Sequence, residues 1–277
     1  MGHILVAQVA KDRLTQQGKT AALDKFNQLI NAFNGLTDGK SNTFIEAAVW
    51  ADDIKEYGVK MFDEYHFTNV VYDPENMFKG MTQLQQDINA INTLGWVEAV
   101  LRANKDGITF ERAFMARYLL HVVGDVHQPL HSVNMFNSKH KTGDFGGNMV
   151  HIITTAATNS TNINLHAYMD SMAGLQSFTE RLVRPLDATA TSKIVAMAAQ
   201  FQQEYPASSF DSKLIENFDY HGWVVESWQN ASNDVYPKIV EGQAISDAFD
   251  ADMKALCKKR VALAGYRLAY VIGSLFA

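Results

Sequence analysis

The run His121-Val122-Val123-Gly124-Asp125-Val126-His127-Gln128-Pro129-Leu130-His131 concentrates three histidines and an acid in one short stretch. On a helix, residues four apart share a face, so His121 and Asp125 can reach one point. Upstream, Glu111, Ala113, Phe114, Arg117 and Leu120 carry the helical spacing back to Thr109. Thr109 followed by Arg112 is a partial capping signature. Downstream, Pro129 breaks or bends the chain, which lets His131 turn toward a neighbouring point. The stretch therefore predicts a helix with ligand-type side chains on one face, ended by a proline turn.

Working outward, apolar residues recur at helical spacing over residues 5–14, 22–33, 43–57, 81–103 and 244–276. Asn164 begins a further helix. The five prolines, at 74, 129, 185, 206 and 237, are too sparse to break these runs. Residues 139–148, Lys-His-Lys-Thr-Gly-Asp-Phe-Gly-Gly-Asn, read as a loop, with short strands near 150–154. No internal repeat, low-complexity block or Pro/Ser-rich linker divides the chain. The expected architecture is mainly α: a single-domain helical bundle over residues 1–277 with long loops and at most a short hairpin.

A 277-residue chain that is 47% hydrophobic and 19% charged can build a core of useful size. Its net charge of -6 argues against clamping duplex nucleic acid through a basic surface. Cys257 is the one cysteine, which rules out an internal disulfide but leaves the compartment open. No run reaches the roughly 18 to 20 apolar residues of a membrane span; the closest, 260–277, is interrupted by Arg260 and Arg267. No signal peptide is visible at the start. The sequons at Asn159 and Asn230 are weak signals, because such triplets arise by chance.

Further ligand-type residues surround the central run. His166 and Asp170 repeat the four-residue spacing, Trp50-Ala51-Asp52-Asp53-Ile54-Lys55 places acids at a helix end, and Tyr65-His66-Phe67-Thr68-Asn69 sets a histidine beside an aromatic. Gly2-His3 opens the chain. Each alone is ordinary: a lone histidine is usually a satisfied core or surface residue, and Gly146-Gly147-Asn148 is a common kind of turn. His140, His151 and His221 keep that reading. His127 keeps it too, with support of a neighbouring ligand by hydrogen bonding as its alternative role. Together, two His-x-x-x-Asp pairs, a third histidine after Gln-Pro-Leu, and an upstream acid and histidine form a set of imidazoles and carboxylates suited to Zn²⁺.

In this order, Gly2-His3, Trp50-Ala51-Asp52, His66-Phe67, His121 to His131, Gly146-Gly147-Asn148 and Asn164-Leu165-His166 with Asp170, the chain resembles the zinc-dependent class I nucleases. That family includes fungal single-strand nucleases, plant bifunctional nucleases and trypanosomatid 3′-nucleotidase/nucleases. The match spans residues 2–170; beyond it, only length and helical character agree. The resemblance implies a fold related to zinc phospholipase C and three zinc ions, adding roughly six positive charges to one pocket. The first zinc is implied to sit on Asp52, His66, His121 and Asp125, and the second on His131, His166 and Asp170. The third is implied on His3 and Asp125 with an N-terminal amine and carbonyl. The family's mature chain opens with tryptophan a few residues before Gly-His, so Met1 is the corresponding candidate here.

The same resemblance implies hydrolysis of single-stranded DNA and RNA to 5′-phosphate products, action on 3′-nucleotides, and a secreted or cell-surface location. Asp52 is implied to orient the attacking nucleophile. Lys55, one helical turn away, is implied to steady charge on the phosphoryl oxygens. Phe67 is the candidate stacking face for an unstacked base, and Gly147 and Asn148 are candidates for its edge. Asn69 stands where fungal members carry aspartate, which bears on base preference. A zinc phospholipase C is the alternative enzyme, but that group carries His-x-x-x-Glu where this chain has His166-x-x-x-Asp170, and it lacks Gly-Gly-Asn. A non-catalytic, zinc-stabilised binding protein is the other alternative; such closed sites are often cysteine-rich, and this set has no cysteine.

Overall fold

The His121–Asp125 stretch lies at the end of α6 (Phe110–Asp125), whose Thr109 cap accepts the Arg112 N–H at 3.4 Å. A computed structural model describes residues 1–78, 86–103, 107–156, 159–176 and 182–277. Helices make up 61% of the structure and strands 5%, so the fold is mainly α, as the spacing predicts. The central helix α1 (Gly2–Gln16) buries Ile4 to Ala10 and Leu14. It packs against α6, α8 (Ala188–Glu204) and the C-terminal helix α11 (Asp247–Leu275). Helix α2 (Thr20–Ala32) covers α6 from one side and α5 (Ala90–Arg102) from another. Arg117 of α6 is fully buried and ties the following loop down, donating to the carbonyls of Ile30 and Ser41 at 3.0 and 2.7 Å. Among the described residues, no helix is long and apolar enough to cross a membrane.

Two expected helices differ from the structure. The run 43–57 is divided into α3 (Phe44–Ala47) and α4 (Trp50–Glu56). The Asp52 N–H bonds to the Val49 carbonyl at 3.0 Å rather than one residue further back, which frees the carbonyl of Ala48. The run 81–103 begins as a helix only at Ala90, because Asn89 is an extended cap whose side chain accepts the Asn92 N–H at 3.0 Å. The part of that expectation at 81–85 lies outside the described residues.

Two small strand pairs position the remaining segments. The hairpin of β3 (His151–Ala156) and β4 (Asn159–Asn164) is antiparallel, with His151 opposite Asn164. It delivers the chain into α7 (Leu165–Asp170), where the Asn164 side chain caps Ala167. A two-residue parallel pairing of β1 (Val71–Tyr72) with β2 (Asn134–Met135) adds to what the sequence suggests. With the Thr68 N–H bonded to the His131 carbonyl at 2.8 Å, it draws the His66 segment alongside the turn at Pro129–Ser132.

Candidate metal centre

The fold brings all eight ligand-type side chains into one cleft region. Asp52 enters from the first turn of α4, His66 from the short helical turn Asp63–His66, and His3 from the start of α1. His121 and Asp125 come from α6, His131 from the turn after Pro129, and His166 with Asp170 from α7. They form three groups able to hold a metal ion: His3, His121 and Asp125; Asp52, His66 and His121; and His131, His166 and Asp170. Asp125 divides its oxygens. Its Oδ2 lies 3.0 Å from His66 Nδ1 and 3.3 Å from His121 Nε2, while Oδ1 lies 3.4 Å from His3 Nε2. Asp52 Oδ1 stands 3.5 Å from His121 Nε2 and 3.8 Å from His66 Nδ1. In the third group, the Asp170 oxygens stand 3.5 Å from His131 Nε2 and 3.3 Å from His166 Nε2.

The imidazoles are oriented from behind. His121 Nδ1 donates to the freed Ala48 carbonyl at 2.6 Å, His131 Nδ1 to the His66 carbonyl at 2.9 Å, and His166 Nδ1 to the Gly146 carbonyl at 2.8 Å. In the neutral ring, each bond leaves Nε2 as the atom that faces the carboxylates with a free lone pair, the arrangement by which backbone acceptors fix ligand tautomers. His3 stacks on His121 with ring centroids 3.8 Å apart. Gly124 makes room for this, since a Cβ there would stand 2.6 Å from His3 Nδ1. Gln128 ties Asp170 to the turn after Pro129, accepting the Leu130 N–H and donating to Asp170 Oδ1 at 2.8 Å. Sequence reasoning did not single out Gln128 or Gly124. The polar residue before Pro129 was a usable signal for the first, whereas nothing local marks the second.

The electrostatics show a cluster short of positive charge. Burial pushes His3 down to about 3, helped by adjacent His121, and also lowers His66. Burial opposes charge on His121 and His131 too, but there the carboxylates win. Asp125 and Asp52 raise His121 to about 10, and Asp125 and Asp170 raise His131 to about 9. Burial disfavours the charged form of Asp125 as well, yet His121, His131 and His3 hold its carboxyl well below the usual range. Protons on imidazoles thus balance the acids where a cation would otherwise do so. The atoms His66 Nε2, His121 Nε2 and His3 Nδ1 are buried without hydrogen-bond partners.

The cleft has a volume of about 350 Å³, and Met1, His3, Asp52, Lys55, Asp125 and Asp170 all line it. Lys55 Nζ is 3.1 Å from Asp52 Oδ1, on the face that its spacing predicts. Burial lowers the Met1 amine to about 6, with the Arg184 charge adding to the effect. A second groove, of about 730 Å³, shares His131 with this region and is lined by Phe67, Asn69, Asn148 and Phe145. Gly147 is buried and off the groove wall; its N–H is taken by Asp144 Oδ2 at 3.0 Å. His127 turns away from the ligands, donating to the Val123 carbonyl and accepting from Arg267 at 2.9 Å, as a core histidine does.

Imidazole–carboxylate groups able to hold metal, at the base of a cleft in a helical scaffold, define the class of a candidate metallohydrolase. Across residues 1–277 the chain matches the S1/P1 nuclease family, and it belongs to that family. It is therefore placed among hydrolases of phosphodiester bonds in single-stranded nucleic acid. A comparison with curated proteins finds no match.

Proposed function

We propose that the chain is a trinuclear zinc nuclease that cleaves single-stranded DNA and RNA to 5′-phosphate products and removes phosphate from 3′-nucleotides. One observation carries the metal assignment. Ligand atoms about 2.0–2.2 Å from a tetrahedral zinc lie roughly 3.3–3.6 Å apart. The imidazole–carboxylate separations of 3.3–3.5 Å about His121, His166, His131 and His3 fall at or beside that spacing, too long for ordinary hydrogen bonds, while His66 Nδ1 stands 3.0 Å from Asp125, as a hydrogen bond, and 3.8 Å from Asp52. A cysteine-free set of imidazoles and carboxylates suits zinc with open positions better than a closed structural site. The first zinc is assigned to Asp52, His66, His121 and Asp125, and the second to His131, His166 and Asp170. The third is assigned to His3 and Asp125, with the Met1 amine at the same cleft. Bound there, zinc supplies water activation near neutral pH and neutralises phosphoryl charge.

The chain's own groups supply the rest. Asp52 orients the nucleophile toward phosphorus. Lys55, held by Asp52, offers its ammonium to the phosphoryl oxygens. Phe67 stacks a base, and Asn148 presents donor and acceptor to its edge. One N–H of Asn148 Nδ2 donates to the Phe145 carbonyl at 2.8 Å, which leaves its other N–H and its carbonyl oxygen for the base edge. Asn69, on the same groove, offers an uncharged amide to the base. A secreted or cell-surface location accompanies this reading. The test is an assay of single-stranded DNA, RNA, 3′-AMP and phosphatidylcholine before chelation, after it, and after adding back Zn²⁺. Chelator-sensitive turnover of the nucleic acids and 3′-AMP, restored by zinc, is expected. Turnover of phosphatidylcholine alone would assign a phospholipase, and full activity in metal-free protein would end the zinc reading.

A further inference from the structure

The joint between α3 and α4 consists of Ala48 and Val49. Through it, bonds three residues back replace part of the regular helical ladder: Val49 N–H to the Glu46 carbonyl and Asp52 N–H to the Val49 carbonyl, each at 3.0 Å. The backbone alone therefore does not fix how α4 is turned on α3. That turn matters, because α4 presents Asp52 and Lys55 to the cleft. A helix with its side chains is about 5–6 Å in radius, so a rotation of roughly 10° moves the Asp52 oxygens by about 1 Å. A misplacement of about 1 Å costs roughly a hundredfold in rate. The Asp52 side chain is 43% exposed, so packing does not hold it in place. The inner face of α4 is held by Trp50, whose ring centroid lies 4.9 Å from that of Phe33 and 5.4 Å from that of Phe114.

Another side of α4 is held by a segment remote in sequence. Arg184 donates to both oxygens of Asp53, Nη1 to Oδ2 at 2.8 Å and Nη2 to Oδ1 at 2.6 Å. Its Nη1 also reaches the Lys40 carbonyl at 3.2 Å. Two residues on, the Leu186 N–H donates to Glu46 Oε1 at 2.6 Å. Glu46 is buried in α3, and its other oxygen accepts from Thr43 Oγ1 at 2.7 Å. Residues 184–186 thus grip α4 through Asp53 and α3 through Glu46, on both sides of the joint. The Arg184 and Asp53 side chains are largely buried. A bidentate guanidinium–carboxylate pair fixes direction as well as distance. Asp53 stays off the cleft wall, so Arg184 acts on α4 from outside the chemistry. We propose that Arg184 is a positioning residue for phosphodiester hydrolysis: through Asp53 it sets the rotation of α4, and so where the Asp52 carboxylate and the Lys55 ammonium stand against His121. This rests on the reading of Asp52 as metal ligand and guide of the nucleophile.

Arg184→Met and Asp53→Asn each remove the pair. With zinc-loaded enzyme and a single-stranded DNA oligonucleotide, both should lower kcat about ten- to hundredfold, as loss of ligand support does, and leave KM within about threefold. The double variant should lose no more than either single, because the pair is already gone. Arg184→Lys keeps the charge but not the fork, so it should stay within about threefold of Arg184→Met. In metal-free protein titrated with Zn²⁺ by calorimetry, one binding step should weaken about tenfold while the others hold. Asp170→Asn in the same background should remove a step other than the weakened one. Tm should fall by no more than about 2–4 °C, as for a partly exposed pair. If Arg184→Met raises KM while Asp53→Asn lowers it, Arg184 attracts phosphate by its charge and the proposal is overturned. Unchanged kcat, full recovery in Arg184→Lys, or equal weakening of every zinc with a larger fall in Tm would overturn it too, the last by showing that the clasp serves stability alone. Asp52→Asn separates the two levels. If it leaves kcat unchanged, the reading of Asp52 fails; if it removes activity while Arg184→Met and Asp53→Asn do not, the clasp alone is wrong.

Discussion

Asp125 presents Oδ2 to His66 and His121 and Oδ1 to His3, so one side chain is placed to serve two of the proposed zincs, while Asp170 is placed to serve one. Asp125→Asn should therefore lose more bound zinc per chain than Asp170→Asn. Elemental analysis after equilibration with equal zinc checks this, and equal contents would contradict the bridging assignment. Gly124 permits a finer cut. A methyl there would stand 2.6 Å from His3 Nδ1, closer than a real Cβ tolerates, so the His3 ring must leave its stack on His121. Alanine also favours helix by about 1 kcal/mol over glycine, which offsets part of the roughly 1–3 kcal/mol of crowding. Gly124→Ala should thus change Tm little but weaken the zinc assigned to His3 and Asp125 by about tenfold or more, as disturbed ligand support does. Zinc titration by calorimetry reads this directly; three unchanged binding steps would mean that His3 is not a ligand.

At the scale of elements, Asp144 fastens the loop after β2 by accepting three donors, two of them backbone N–H groups. Burial raises its carboxyl pKa, while those donors and Tyr236 pull it back. Asp144→Ala should cost roughly 3 kcal/mol or more, since it strands buried donors, against about 1 kcal/mol for Tyr236→Phe. Urea unfolding compares them, and equal losses would show that the loop does not depend on Asp144. The same loop shows what sequence reading can reach. His121, Asp125, His166 and Asp170 were legible because a four-residue spacing on a helix is a local property. The break at Ala48–Val49 was not, since the carbonyl it frees is used by His121, 73 positions away. Phe145, on the groove wall, was passed over within a glycine-rich loop because its left-handed φ of 54° and its exposure are set by Asn134 and Asp144 through tertiary contacts. Helical periodicity likewise found α1, α2, α6 and α11 but ran through the Asn89 cap, one polar residue among several between Thr82 and Thr93 and so not marked out by composition.

For the whole molecule, the candidate ligands come from α1, α4, the turn at 63–66, α6, the turn at 129–132 and α7, so a bound metal would add cross-links to segments already joined by packing and by hydrogen bonds such as that from His131 Nδ1 to the His66 carbonyl. Without metal, charge balance falls to imidazolium–carboxylate pairs, and their pH dependence has a definite sign. His121 and His131 titrate at about 10 and about 9 in the folded chain, against about 6.5 unfolded. Groups raised in this way contribute stability that is fully present below about 6.5 and is lost as pH rises through 9 to 10. The carboxylates Asp125 and Asp170 are lowered, although burial opposes this; their contribution is present above about 4 and is lost as pH falls further. Metal-free protein should therefore lose Tm steadily from pH 7 to pH 10. Zinc binding displaces the same protons, so it strengthens with pH and fails in acid. The Tm difference between zinc-loaded and chelated protein should widen from pH 6 to pH 9 and close toward pH 5, with activity tracking the difference. Thermal scans across that range, with and without chelator, measure it. A metal-free Tm that climbs between pH 7 and pH 10, or a gap that stays constant, would mean that His121 and His131 do not carry the charge the carboxylates demand, and that the cluster is not held ready for a cation.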